Sequence, residues 1–394
     1  MSSLSAAQQR ILVFAATFFF IASVYLSTTR LFNMSFSSQD GRSPQLTHRN
    51  RKQHAPAPIH HHPPSADMAV APADLPMSYG EYRRPGLDGL DKMVATLPLH
   101  LVPSLDNRRR LIVIGDIHGM DQELARLLHV VGFDTHGDHV VAAGDMVGKG
   151  PNSTAVVDRL MSLEASAVRG NHEDRVLLSR AEADAARGLL GAQLAETDAP
   201  LRTGQADALA VARSLSASQV AWLSRLPVVL SVDPLPLYIV HAGLVPGVAL
   251  EKQDPWAVMN MRTLIYPREE LRTKQRLKEA KGTTTTGTTK AAMDRGTSLD
   301  RAVAVPVENH KGEPWADGWN RFQEGEPEPK RRTVVYGHDA RVGHVEGRYT
   351  LGLDSGCVRG GALTAAVIQA AEHGGFNHTT VRVACRKPAS PEQS

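Results

Sequence analysis

Five short apolar runs in the C-terminal two thirds of the chain each stop at a polar residue. Arg110 to Gly115 (RLIVIG) stops at Asp116-Ile117-His118-Gly119, DHVVAAG at Asp145, SAVRG at Asn171-His172, LYIV at His241-Ala242-Gly243, and TVVYG at His338. Short β-branched runs bounded by glycine and polar residues predict buried strands. Between the first three runs, Asp121–Val131 and Ser153–Leu163 show the spacing of amphipathic helices. The resulting β-α-β-α-β order predicts a parallel sheet and an α/β fold.

The N-terminal third has a different pattern. Residues 1–10 form a short tail, and Ile11 to Thr29 is an uncharged run of nineteen residues between Arg10 and Arg30. At ~1.5 Å per residue it is just long enough to cross a bilayer core of roughly 30 Å, and it exceeds the usual apolar stretch of a cleavable signal, so a retained transmembrane signal anchor is expected. Residues 30–107 are rich in Pro, Ser and His with little periodicity, which predicts a flexible linker. The His60-His61-His62 cluster reads as part of that linker. A catalytic domain is expected over 108–386, with a largely disordered insertion at 268–305 around the Thr/Gly-rich run 281–290, and a tail at 387–394.

Charge changes this picture little. The formal net charge is +3, but residues 27–110 hold eleven Lys/Arg against seven Asp/Glu, so the part from Leu111 onward is slightly acidic. No specific nucleic-acid binding is expected from such a surface. Cys357 and Cys385 are the two cysteines; they could pair, although two thiols in so large a domain are more often simply packed, and the redox compartment stays open.

Candidate chemistry follows from the residues at the strand ends. Ligands at the carboxyl ends of several strands share one crevice in open α/β sheets. Asp, Asn and His without thiolate suit Zn²⁺, Mn²⁺, Fe or Mg²⁺ rather than a closed structural zinc site. A pair of ions about 3.5–4 Å apart needs one shared carboxylate with separate ligands on each side. One Asp-x-His or Asn-His alone is an ordinary loop, but five such pieces in order, each after an expected strand, are specific.

The blocks Gly115–Gly119, Gly144-Asp-Met-Val-Gly-Lys-Gly-Pro151, Arg169-Gly-Asn-His-Glu173, His241–Gly243 and Tyr336-Gly-His338 resemble the signature of the phosphoprotein-phosphatase superfamily of calcineurin-like metallophosphoesterases. Lys149 in place of Arg, Gly148 in place of Asp, and the tail blocks Leu353-Asp-Ser-Gly-Cys357 and Gly361–Ala365 are similar to the branch of symmetrical diadenosine tetraphosphatases, the ApaH-like phosphatases. An anchor followed by a Pro-rich tether resembles the fungal vacuolar endopolyphosphatases of that branch.

The resemblance implies a β-sandwich of two mixed sheets flanked by helices. It also implies two divalent metal ions, zinc first, with manganese, cobalt or magnesium as alternatives. Asp116 and His118 would hold one ion, Asp145 would bridge, and Asn171, His241 and His338 would hold the other. A bridging hydroxide would attack and His172 would act as general acid. Lys149 takes the position of a phosphate-clamping Arg, and Arg341 is preferred over Arg359 as a second phosphate-binding cation. Gly148 removes a carboxylate that orients the catalytic His in protein phosphatases, so another group must hold His172. Arg169 is expected to be structural, and Trp315 and Trp319 to pack their loop rather than meet substrate.

The activity expected is metal-dependent hydrolysis of phosphoanhydride bonds, foremost internal bonds of inorganic polyphosphate. Dinucleoside polyphosphates or mRNA caps are the alternative, and a protein Ser/Thr phosphatase or an inactive binding module are rivals that Lys149 with Gly148 and the complete ligand set disfavour. The resemblance implies a single-pass protein of the vacuole membrane with a luminal catalytic domain, whereas Arg30, Arg42, Arg49, Arg51 and Lys52 after the apolar run favour a cytosolic one.

Overall fold

Side chains of each central strand alternate between two different cores. The computed structural model describes residues 90, 92–190, 205–282, 300–372 and 374–388, all within one compact unit, residues 66–394. The expected anchor at 11–29 and residues 30–89 of the expected linker lie outside the described residues, whereas the end of that linker is part of the fold: Val94–Thr96 is a strand paired with Val229–Ser231, and Leu97 and Val102 are buried. Among the described residues, no helix is long and apolar enough to cross a membrane.

The first half contains β1 (Val94–Thr96), β2 (Arg110–Ile114), α1 (Asp121–Val131), β3 (Asp138–Ala142), α2 (Ser153–Ser162), β4 (Ser166–Ala167), α3 (Asn171–Leu190), α4 (Gln205–Ser214) and α5 (Ala217–Ser224). The second half contains β5 (Val229–Ser231), β6 (Leu237–Val240), α6 (Pro255–Asn260), β7 (Thr263–Ile265), α7 (Pro267–Gly282), β8 (Val305–Val307) and β9 (Glu313–Pro314). It closes with α8 (Trp315–Gly325), β10 (Thr333–Tyr336), β11 (Val345–Glu346), β12 (Thr350–Gly352), β13 (Ala362–Ala370) and β14 (Phe376–Ala384).

Two mixed sheets form, one ordered β1-β5-β6-β10-β12-β11 and one ordered β14-β13-β2-β3-β4. As the β-α-β-α-β order predicts, β2, β3 and β4 are parallel. In the other sheet β6, β10 and β12 are parallel as well. Leu111 and Val113 of β2 and Val141 of β3 share one core with Leu237 and Ile239 of β6 and Val335 of β10, so the two sheets pack face to face. The alternate residues Ile112, Ile114, Val140 and Ala142 join a second core with Leu124, Leu127, Val156 and Leu160 of α1 and α2. On the other side Val240, Val334 and Tyr336 pack with α6 and with Trp315 and Trp319 of α8. Burial on both faces explains why these strands read as unbroken apolar runs.

The sandwich also carries a third sheet, β8-β7-β9, which sequence periodicity missed. Its strands are two or three residues long, too short to show alternation. The insertion expected to be largely disordered over 268–305 is corrected in part: α7 runs through Pro267–Gly282, and residues 283–299 lie outside the described residues. Helix-forming residues over PREELRTKQRLKEAKG, Glu269 and Glu270 in the first turn, and ion pairs from Arg272 to Asp300 and from Arg301 to Glu269 account for that order. Cys357 and Cys385 form a disulfide rather than two packed thiols. It ties the segment before β13 to the end of β14, two places that sequence distance does not relate.

Candidate metal centre

The carboxyl ends of β2, β3, β4, β6 and β10 meet at one edge of the sandwich and bring together Asp116, His118, Asp145, Asn171, His172, His241 and His338. Of six non-glycine residues with positive φ among the described residues, four are His118, Asp145, Lys149 and His338. Left-handed backbone at bulky side chains is costly and collects at functional sites, where the surrounding structure enforces it. Here the enforcement is visible. Asp116 Oδ1 accepts the backbone N–H of His338 at 2.8 Å, and Asp145 Oδ1 accepts that of His172 at 2.9 Å. Gly337 is required beside Asp116, because a Cβ there would overlap Oδ1.

Three histidines are held in the same way. The Nδ1 of His118 lies 3.2 Å from Val147 O, the Nδ1 of His241 lies 2.9 Å from Ala143 O, and the Nε2 of His338 lies 3.0 Å from Asn260 O. Each carbonyl can only accept, so that nitrogen carries the hydrogen and the opposite nitrogen faces the site, as a lone pair in the neutral rings of His118 and His338. A histidine anchored through one ring nitrogen in this way is oriented as a metal ligand.

The free nitrogens converge on Asp145. His118 Nε2 stands 3.5 Å from Asp145 Oδ2 and 3.6 Å from Asp116 Oδ2, while His241 Nε2 stands 3.3 Å from Asp145 Oδ1. Asn171 Oδ1 and His338 Nδ1 lie 3.0 and 3.2 Å from the same His241 Nε2. Donor atoms of His118, Asp145 and His172 fall within 4.8 Å of one another, and so do those of Asp145, His241 and His338. Asp145 is common to both groups. That is the donor arrangement two neighbouring divalent ions need.

The electrostatics call for added positive charge. Burial, then the charge of Asp354, raises the Asp116 carboxyl well above its usual range. Burial and then Asp145 push Glu173 up to about 7. His241 is also buried, which opposes its charge, but Asp145 and Asp116 outweigh that and push it to about 10. Burial lowers His118 to about 3 and His172 to about 4, so both rings are neutral and available as nitrogen donors. Buried carboxylates beside the neutral imidazoles of His118 and His338, with a proton on His241 that a bound cation would replace, form a nitrogen and oxygen donor set that fits divalent cations.

Sequence reading left two residues of this site without a role. Glu173 is fully buried, and its two oxygens accept the N–H groups of Asp145 and Gly170 (2.8 and 2.9 Å) and of Met146 and Val147 (2.8 and 3.1 Å). One carboxylate thus shapes the Asp145 loop. Asp354 follows β12 as a sixth strand-end residue, lines the same cleft as Asp145, and its charge acts on Asp116. The run Thr350-Leu-Gly-Leu353 ahead of it was the available signal, but its glycine made it weaker than the other five.

What orients His172 is also resolved. The imidazole stacks edge-on against His118 at 4.7 Å, its Nε2 is 3.9 Å from Asp145 Oδ2, and its Nδ1 faces the backbone of Gly148. A Cβ at 148 would stand 2.6 Å from that Nδ1, and φ there is +83°. The chain packs bare backbone against the ring where protein phosphatases place a carboxylate.

A cleft of about 190 Å³ opens over the site, lined among others by Lys149, Arg175, Arg262 and Arg359. Lys149 Nζ approaches His118 Nε2 at 2.8 Å. Arg341, the expected phosphate-binding cation, is exposed and does not line the cleft; Arg359 does, with Arg175 and Arg262, which sequence reading did not single out. A position three residues past a ligand gave proximity along the chain but not direction. Arg169 is buried and donates to Ser224 O at 2.6 Å, consistent with a structural role. Trp315 and Trp319 are buried in the core beside β6 and β10 and do not line the cleft.

The profile described as calcineurin-like phosphoesterase matches residues 109–342, more than half of the chain. A symmetrical bis(5'-nucleosyl)-tetraphosphatase of Vibrio campbellii is 27% identical over 273 residues, covering 64% of this chain and 92% of that protein. Serine/threonine-protein phosphatase 1 of Salmonella typhimurium is 37% identical over 84 residues, covering 21% of this chain and 39% of its own. A crystal structure titled as a putative diadenosine tetraphosphatase superposes with a TM-score of 0.52 at 28% identity, covering 75% of this chain and 99% of that one.

Proposed function

The chain belongs to the calcineurin-like phosphoesterase family, and from that premise we propose that this metal-dependent phosphoesterase cleaves phosphoanhydride bonds of linear polyphosphate substrates. Dinucleoside polyphosphates are the class that its symmetrical bis(5'-nucleosyl)-tetraphosphatase relatives support. The observation that carries the reading is Asp145, shared by two donor groups at the floor of a cationic cleft.

Asp116, His118 and Asp145 would hold one divalent ion, and Asp145, Asn171, His241 and His338 the other, with zinc as our first choice from the nitrogen-rich second set. Such ions acidify water and offset phosphate charge when bound. The residues of the chain do the rest. Lys149 binds phosphate oxygens as a point charge, and Arg262, whose Nη1 donates to Glu308 O at 2.8 Å and whose Nε lies 3.8 Å from Asp339, adds its remaining N–H groups. His172 protonates the leaving oxygen; the negative charge of a phosphate entering the cleft acts on the ring as Asp145 does and raises its proton affinity.

Inorganic polyphosphate is the second reading. It is favoured by the cleft lining, where the described residues offer four cations and no Trp, Tyr or Phe on which a base could stack. The disulfide supports an oxidising compartment for the catalytic domain, in keeping with a luminal domain on a protein anchored at the vacuole membrane through residues 11–29.

Metal-loaded protein should be incubated with diadenosine tetraphosphate, long-chain polyphosphate and a phosphoserine peptide. Cleavage of either anhydride at least about a hundredfold faster than the peptide, by kcat/KM, is expected. Faster turnover of the peptide would refute the proposal, and the ratio of the two anhydride rates decides between the two readings.

A further inference from the structure

A substrate with three or more phosphates carries charge beyond the scissile bond, and the cleft mouth has a separate element placed to meet it. One short segment after β12 supplies Asp354, Gly356, Val358 and Arg359 to the lining. Gly356 and Gly360 adopt left-handed backbone, with φ 69° and 89°, and bracket a 3-10 turn of Cys357–Arg359. Within it Gly356 N–H donates to Asp354 Oδ1 at 2.9 Å, and Arg359 N–H and Gly361 N–H donate to Gly356 O at 2.9 and 3.0 Å.

The two faces of this turn differ. Cys357 is buried in the helix-side core and bonded to Cys385, whose own N–H donates to Gly361 O at 2.8 Å. Arg359 is exposed on the cleft side, and its guanidinium has no hydrogen bond or ion pair among the described residues. Arg175 at the start of α3 is likewise exposed, unpaired among the described residues and part of the same lining. A turn built on two glycines has little stiffness of its own, so the covalent tie adds to these hydrogen bonds in fixing the backbone of Arg359.

We propose that Arg359, with Arg175, forms an outer phosphate subsite that selects chains of three or more phosphates, and that the Cys357–Cys385 bond holds Arg359 in place for it. Guanidinium forks suit phosphate oxygens. The inference rests on the phosphoanhydride reading above and adds to it the residue that sets chain-length preference.

The test uses inhibition of p-nitrophenyl phosphate hydrolysis by the full metal-loaded chain, with tripolyphosphate and orthophosphate as the two inhibitors. In R359Q the Ki of tripolyphosphate should rise about tenfold while that of orthophosphate moves less than about twofold. The double variant C357A/C385A should raise the same ratio, and adding R359Q to it should give no more than R359Q alone, because both act through one contact. If that variant does not fold, the wild-type protein treated with dithiothreitol, with its fold followed by circular dichroism, should show the same rise.

An unchanged inhibitor ratio in R359Q, or a wild-type protein that binds both anions equally, overturns the subsite. Additive effects of R359Q and the cysteine variant overturn the role of the disulfide. Tripolyphosphate that binds in this manner, while neither it nor diadenosine tetraphosphate is ever cleaved, would instead refute the phosphoanhydride reading and leave the subsite standing.

Discussion

The carboxylate of Glu173 accepts the backbone N–H of Asp145 at 2.8 Å, with both residues fully buried. Through this bond and those from Met146 and Val147, the first turn of α3 sets the shape of the loop whose Asp145 joins the two donor groups. Glu173→Gln keeps the volume but turns one acceptor into a donor facing two N–H groups. A loss of about 2–4 kcal/mol in urea unfolding is expected, with metal affinity at least about tenfold weaker by calorimetry. Unchanged stability and affinity would show that the loop holds its shape without the carboxylate.

Gly148→Ala tests the packing behind His172. The new methyl meets Nδ1 at 2.6 Å in a backbone of φ +83°, so the ring must tilt or the loop must move. We expect kcat to fall roughly a hundredfold, as a misplacement of about 1 Å costs, with a stability loss of about 1–2 kcal/mol. Metal content by mass spectrometry of the native protein should stay that of the wild type, since none of the expected ligands is replaced.

Metal binding should stabilise the fold. Ligand that binds only the folded state adds RT ln(1 + [L]/Kd), so divalent metal at about a hundred times its Kd contributes about 2.7 kcal/mol per site. Thermal melting with zinc or manganese should rise by several degrees over protein kept in EDTA. His241→Ala should abolish metal-dependent turnover and cut the shift to about half, because His241 Nε2 faces Asp145, Asn171 and His338 together while the other donor group is untouched.

His139 predicts an acid limb of stability that is independent of the metal site. The ring is buried on β3 with Nε2 2.9 Å from Ser166 Oγ, and burial, then Arg109 and His100, lower it to about 4. The unfolded chain, with its ordinary histidine near 6.5, binds the proton first as pH falls. Stability is therefore complete above about 6.5 and is lost between about 6.5 and 4, by up to about 3 kcal/mol. Urea midpoints across that range in EDTA should fall less steeply for His139→Gln than for the wild type; parallel curves would exclude this residue as the source.

The strand-end residues were legible because each follows an apolar run long enough to announce a strand. The five runs, both intervening helices and the seven polar residues that meet at one edge of the sandwich could be read in one dimension. Glu173 was printed within the Asn171-His172 block, but no periodicity marks a carboxylate whose partners are backbone N–H groups of a loop 26 to 28 residues away. The third sheet has strands too short to alternate, and the helix at Pro267–Gly282 was hidden behind the low-complexity run that follows it.

What the sequence by itself determined is therefore local: which segments are strands, because burial on both faces demands unbroken apolar runs, and which polar residues lie at their ends. The tertiary structure decided direction. It selected Arg359, Arg175 and Arg262 over Arg341 as the cations facing the cleft, paired Cys357 with Cys385, and set Gly148 against His172. Each of these depends on the angle at which two distant loops meet, and that angle is set by the packing of two sheets, a property that no single stretch of the chain encodes.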